Sequence, residues 1–260
     1  MARVSVEYQD HIAKVTLTRG DKMNALDPEM MDAIVAAGQE VAASDARAVV
    51  LSGEGKSFCA GLDMASFAGM ANKDPEEFLV KRTHGETNLF QEVPLIWRKV
   101  PVPVIAAVQG VAFGGGFQIA LGADIRIAAP DAKLSLMEMK WGIVPDMGGM
   151  ALMPPLARTD VLRQMTYTAR PIAAAQAEAW GLVTSIAEDP LTAAMDLAEE
   201  IASKSPSAIR AAKRLIDVAE AAPRADVLMA ESVEQAKLIG QPEQMEQVMA
   251  NMQGRKPNFG

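Results

Sequence analysis

Residues 101–124, PVPVIAAVQGVAFGGGFQIALGAD, constrain this chain more than any other stretch. The pattern predicts a buried strand over 102–108, a glycine-rich turn over 110–116 and a helix opening at Gly114-Gly115-Gly116. Three consecutive glycines cost backbone entropy, so a fold keeps them where backbone comes close to something or turns sharply. At a helix start they also leave N–H groups free, which suits an anion or a developing oxyanion. By itself the stretch is first of all a tight strand-to-helix turn.

Before it, Val4, Val6 and Tyr8 alternate with polar residues, as do Ala13, Val15 and Leu17, which predicts a β-hairpin. Asp27-Pro28 opens a helix with Met31, Ile34, Val35, Gly38, Val41 and Ala42 on one face. Residues 47–52 form a short buried strand. In the mixed segment 64–100, Asp74-Pro75 starts a surface helix over 75–92 that Pro94 ends. Further strands are expected at 124–128 and 131–136, and a loop with a short helix around Gly142, Pro145 and Gly148-Gly149. Helices at 158–168 and 173–180 precede a last strand at 182–186. From Pro190 onward the chain reads as helix: 190–203, 206–221, 224–239 and 242–252. The class is α/β, with strand-strand-helix repetition and an all-helical end. Ala- and Met-rich stripes on the last helices point either to oligomer contacts or to packing on the core.

The 260 residues carry a net charge of −8, which argues against a general nucleic-acid or anionic-membrane surface. The single Cys59 excludes an internal disulfide and fits a reducing compartment. The first ten residues lack an apolar signal core and no run reaches membrane-spanning length, so a soluble cytoplasmic protein is expected.

Several chemistries are disfavoured. GEGKS lacks the first glycine of a phosphate loop, since Val50 stands there. His11 and His84 have no partners at metal-ligand spacing, so no metal is expected. There is no G-x-S-x-G elbow, and the dinucleotide fingerprint fails at Ile119. What remains is two glycine-rich loops, Cys59-Ala60-Gly61-Leu62 and Gly114-Gly115-Gly116, and two acids downstream, Glu138 and Asp146. If the loops face one another, two backbone N–H groups can hold one carbonyl oxygen. The acids are then either general acid/base groups or ordinary solvated carboxylates.

At these residues the sequence resembles the crotonase superfamily of enoyl-CoA hydratases and isomerases. The matching pieces are RGDKMNALDPEM, RAVVLSGEGKSFCAGLDM, PVPVIAAVQGVAFGGGFQIALGADIRIAAPDAKL, MKWGIVPDMGG, ARPIAAAQAEAWGLV and GRKP, in family order over nearly the whole chain. The resemblance implies a spiral of repeated ββα units over 1–200 that holds the active site. It also implies a C-terminal helical region over 201–260 that builds a trimer or a dimer of trimers. The substrate would be an acyl-CoA thioester, with coenzyme A as part of the substrate and no separate cofactor. The oxyanion donors would be the N–H groups of Leu62 and Gly115. Lys22, Ala25, Ala60 and Gly61 fall along the family's CoA groove, as does Leu62. Arg255 and Lys256 fall where a basic tail reaches CoA phosphates, in the same or a neighbouring subunit.

The family's hydratases carry two water-activating glutamates. Here those positions hold Gln118 and Glu138, and an uncharged amide cannot take a proton. Asp146 falls where dienoyl-CoA isomerases and chlorobenzoyl-CoA dehalogenases carry a functional aspartate. The isomerases have an acid where Gln118 stands, and the dehalogenases an aromatic residue where Glu138 stands. Double-bond isomerisation is therefore favoured slightly over hydration. A non-catalytic acyl-CoA binder, decarboxylation and thioester hydrolysis remain open.

Overall fold

The computed structural model describes residues 2–70 and 74–259. The alternating pattern at the start folds as the antiparallel hairpin β1 (Val4–Gln9) and β2 (Ile12–Leu17). Asp10 and His11 close it in left-handed backbone, which matches the twist of paired strands. Asp27 caps α1 (Pro28–Ala42) by accepting the Met30 N–H at 2.8 Å, with Pro28 in the first turn. The buried face of α1 includes Met31, Ile34, Val35 and Val41, as the spacing requires.

The apolar runs become parallel strands: β3 (Ala48–Gly53), β4 (Val104–Val108) and β6 (Ile125–Ala128). With the hairpin and β9 (Ser185–Ile186) they form one sheet of order β1-β2-β3-β4-β6-β9, parallel from β2 onward. A second sheet joins β5 (Val111–Phe113), β7 (Lys133–Ser135) and β8 (Ile172–Ala173). Parallel bridges Cys59–Ala112 and Leu26–Leu62 continue this second sheet past β5. Each winding therefore gives one stretch to the first sheet and the next to the second: β3 then Cys59–Leu62, β4 then β5, β6 then β7. This is the expected ββα spiral.

Strand alternation divides the core. Val49, Leu51, Val104 and Ala106 face the main core with Phe58, Trp97 and Phe117. Val50, Ile105 and Ala107 face the other side, under Ala194, Ala198 and Ala202 of α8 (Pro190–Ala202). Buried side chains on both faces explain why these strands read as continuous apolar runs.

Four expectations need correction. The helix over 75–92 is not formed; Glu76–Val80 is a single wide turn, following the short α2 (Met64–Met70). The real helix is α3 (Leu89–Lys99), started by a capping box in which Asn88 accepts from Gln91 N and Gln91 accepts from Asn88 N. Pro94 sits inside α3 rather than ending it, because burial of Phe90, Val93, Ile96 and Trp97 around it outweighs one missing hydrogen bond. The turn at 110–116 contains β5, and the helix that follows is α4 (Gly115–Gly122). The last strand shrinks to β9, since Leu182 and Val183 bond back to Ala177 O at the end of α7 (Ala174–Ala179). The two-residue β8 was too short to leave a pattern.

The stretch after β7 folds as a 3-10 turn (Glu138–Trp141), α5 (Gly149–Leu152) and α6 (Thr159–Thr168). The chain ends in α9 (Pro206–Ala221), α10 (Arg224–Leu238) and α11 (Pro242–Gln253). Lys213 pins α9 to the core, donating to Trp97 O, Val102 O and Asp124 Oδ2. No helix among the described residues is long and apolar enough to cross a membrane.

Candidate active site

The site forms where three consecutive windings meet. The second winding supplies Ala60-Gly61-Leu62. Its path is fixed by Asn24, which is fully buried and left-handed, and whose Nδ2 donates to the carbonyls of Glu54, Ser57 and Phe58. Leu26 N donates to Gly61 O and Asp63 N to Leu26 O. Gly61 O and Asp63 N thus face Leu26, so strand alternation turns the Leu62 N–H to the opposite edge. Phe113–Gly115 lies on that edge, and a Cβ added at Gly61 would stand 2.6 Å from Phe113 O and 3.6 Å from Gly115 N.

The third winding supplies the opening of α4. Gly114 has φ +52 and ψ −122, a conformation that side-chain-bearing residues rarely adopt. Gly115 is then the first helical residue, where an N–H has no partner within the helix. Among the described residues neither the Leu62 N–H nor the Gly115 N–H has a hydrogen-bond acceptor. Gly116 is required by packing, since a Cβ there would collide with Cys59 O. The Cys59 thiol is buried, donates to Asn24 O and is pushed up to about 12 by burial, so it is not a nucleophile at neutral pH.

The fourth winding supplies Glu138, at the start of the 3-10 turn and only 7% exposed. Its Oε1 lies beside Gly114, 3.4 Å from where a Cβ would be. Its Oε2 is buried and has no hydrogen-bond partner among the described residues. Gln118, fully buried on α4 one turn after Gly115, donates from Nε2 to Glu138 Oε1 at 2.7 Å. The Gln118 Oε1 accepts from Met147 N and Gly149 N, both at 3.0 Å. Burial pushes the Glu138 carboxyl up, and Asp146 nearby adds to the rise, against hydrogen bonds from its own backbone N–H and from Gln118. Asp146 is half-buried and burial raises it too. Two raised carboxyl groups beside two free N–H groups can exchange protons with a carbonyl-activated substrate.

Other expected residues divide. Lys22 is exposed on the turn Gly20–Lys22, and Ala25 follows it. That segment runs along Ala60 and Gly61, with Ala60 N donating to Met23 O at 2.9 Å. Arg255 and Lys256 are not brought to the site within one chain. Arg255 forks onto Glu246, and Phe259 of the same tail lies under the Arg47 guanidinium, 5.7 Å from ring centroid to Cζ. Arg47 precedes β3, whereas Cys59–Leu62 follows its far end.

Sequence reasoning missed Asn24, whose signal was an asparagine at a tight turn, a residue that tolerates left-handed backbone. It also missed Arg19, which bonds Ala25 O and pairs with Asp27 and Asp63 on either side of the loop. The contact of Gln118 with Met147 and Gly149 had no sequence signal.

Windings that feed two sheets in turn, ending in packed helices, define the crotonase fold. The chain belongs to the enoyl-CoA hydratase/isomerase family, whose model matches residues 7–260. It is similar to the enoyl-CoA hydratase EchA19 of Mycobacterium tuberculosis, at 33% identity over 98% of this chain and 95% of the relative. It is also similar to the mitochondrial Delta(3,5)-Delta(2,4)-dienoyl-CoA isomerase of Rattus norvegicus, at 33% identity over 79% of this chain and 65% of the relative. Among solved structures, an enoyl-CoA hydratase from Bacillus anthracis superposes with a TM-score of 0.91 at 30% identity, covering 99% of this chain and 98% of that one.

Proposed function

We propose that this enzyme moves a double bond along the acyl chain of an enoyl- or dienoyl-CoA thioester. The observation that carries this reading is the buried, unpartnered Oε2 of Glu138 beside two unpaired backbone N–H groups. The Leu62 and Gly115 N–H groups donate to the thioester oxygen, each worth roughly 3–4 kcal/mol as charge develops there. Glu138 removes a proton from the carbon chain, and the electron pair runs through the conjugated system to the thioester oxygen. Asp146 returns a proton to a different carbon, and the thioester carbonyl re-forms as the double bond settles in its new place. Thioester and water count are unchanged.

An amide at position 118 argues for isomerisation over hydration, because a second glutamate is not there to activate water. Lys22, Ala25, Ala60 and Gly61 form one side of the groove for the CoA arm. Arg255 and Lys256 reach CoA phosphates only from a neighbouring subunit, which fits the trimer that the family resemblance implies. The single buried thiol fits a cytoplasmic enzyme.

Purified protein should shift the ultraviolet spectrum of a 3,5-dienoyl-CoA. Glu138→Gln should lower that rate by about 10²–10⁴-fold with little change in thioester affinity. Hydration of a short 2-enoyl-CoA that outpaces isomerisation would replace this reading with a hydratase. Tight binding with no turnover of either substrate would make the protein a binder.

A further inference from the structure

Gln118 is the one polar side chain of α4, and its amide can sit in only one way. Two backbone N–H groups, from Met147 and Gly149, converge on its Oε1, so the carbonyl end must face them. The NH₂ end is thereby aimed at Glu138, and donates to Oε1. A Cβ at Gly149 would come within 2.7 Å of the amide oxygen, so the seat is also closed sterically. Glu138 is left with one oxygen covered by a donor and the other, Oε2, buried and free.

We propose that Gln118 is a positioning residue for Glu138, a clamp that joins the carboxyl group to the Met147–Gly149 turn and leaves Oε2 as its free proton-accepting atom. This rests on Glu138 being the base in the reaction proposed above. A hydrogen bond donated to a carboxylate favours the charged form, while burial and a neighbouring like charge oppose it. Asp146, on the same loop as Met147, is the titratable side chain whose charge acts on Glu138 among the described residues. Helix α4 contributes only neutral groups. Helix α6, packed on the 3-10 turn, has its charges engaged elsewhere: Arg158 with Asp160, and Arg163 with the Tyr167 hydroxyl. Lys140 lies over the Trp141 ring. The backbone N–H groups of Glu138 and Met137 also favour the charged form, and Gln118 is the side-chain donor that offsets the burial of Glu138.

The clamp also sets specificity. A water held between two side chains needs a gap of roughly 5 Å, two hydrogen-bond lengths. The 2.7 Å contact between Gln118 and Glu138 closes that gap. Proton transfer on the acyl chain remains possible at Oε2, whereas no water fits between Gln118 Nε2 and Glu138 Oε1.

The test is the pH dependence of the full-length enzyme and of Gln118→Met, which keeps the length and removes the donor. Gly149→Ala provides a second route, pushing the amide from its seat without changing it. Two readouts are needed: the acid limb of kcat/KM for isomerisation, and infrared titration of the Glu138 carboxyl, identified by its loss in Glu138→Gln. Both should move up by about one pH unit in each variant, the shift from losing a hydrogen bond worth about 1.4 kcal/mol to the charged form. A lower kcat with both readouts unmoved would make Gln118 a packing residue and overturn the proposal. If Glu138→Gln keeps full activity while the infrared titration still shifts, the clamp stands and the isomerase reading falls. If Gln118→Met does not fold, Gly149→Ala decides alone.

Discussion

A carboxyl group that is useful as a base is costly to keep. The folded pKa of Glu138 is raised above that of the unfolded chain, mainly by burial. Between the two values the folded chain holds the proton and the unfolded chain has released it, so stability falls as pH rises through that window. The cost is absent below the unfolded carboxylate range, around pH 4, and complete above the folded value. Glu138→Gln should therefore melt higher than the parent at pH 7, and the gain should vanish near pH 4 in a series of thermal melts. A gain of equal size at every pH would show that ionisation is not its source. At this scale the chemistry was legible in part. The two glycine-rich loops and Glu138 were picked out from the residues themselves, while the family resemblance pointed to Leu62, Gly115 and Gln118. The role of Gln118 was not legible, because it depends on backbone donors about thirty residues away in sequence.

Among the elements, α3 and α4 show how far a sequence pattern reaches. Asp27-Pro28 placed α1 correctly, since cap and first-turn proline act locally. Pro94 misled because its effect is not local: its carbonyl is covered by Gly122, and a Cβ there would collide with it. Gly122→Ala should thus lower stability by about 1–3 kcal/mol despite the better helix propensity of alanine. Gly69→Ala in α2 makes the contrast, as an added Cβ meets nothing within 4 Å among the described residues and should be neutral or stabilising by up to ~1 kcal/mol. Chemical denaturation of both variants checks the pair, and equal effects would show that the α3–α4 contact does not limit the size of residue 122. The short β5 and β8 escaped detection, and β9 was expected three residues too long, for a different reason: two or three residues carry no period.

Across the whole molecule, the repeating layout was legible because the first sheet is built from apolar runs separated by glycine-rich turns. How the windings stack was not, since bridges such as Leu26–Leu62 join single residues. Helix α10 buries none of its residues and exposes Leu228, Met229 and Val233; α11 exposes Met245, Met249 and Met252. Apolar side chains in that density favour self-association, and the proposed trimer would cover them. Light scattering in solution should give three times the 27.7 kDa chain mass, or six times for paired trimers. A monomer at micromolar concentration would contradict it.

Placing Leu62, Gly115 and Glu138 on successive windings also gives the enzyme a timetable. Each winding emerges from synthesis in turn, and the two donors face each other only after the third has closed on the second. The acid joins only when the fourth has followed. On the reading proposed above, a growing chain that ends before Glu138 would lack its base, whatever part of the donor pair it had assembled.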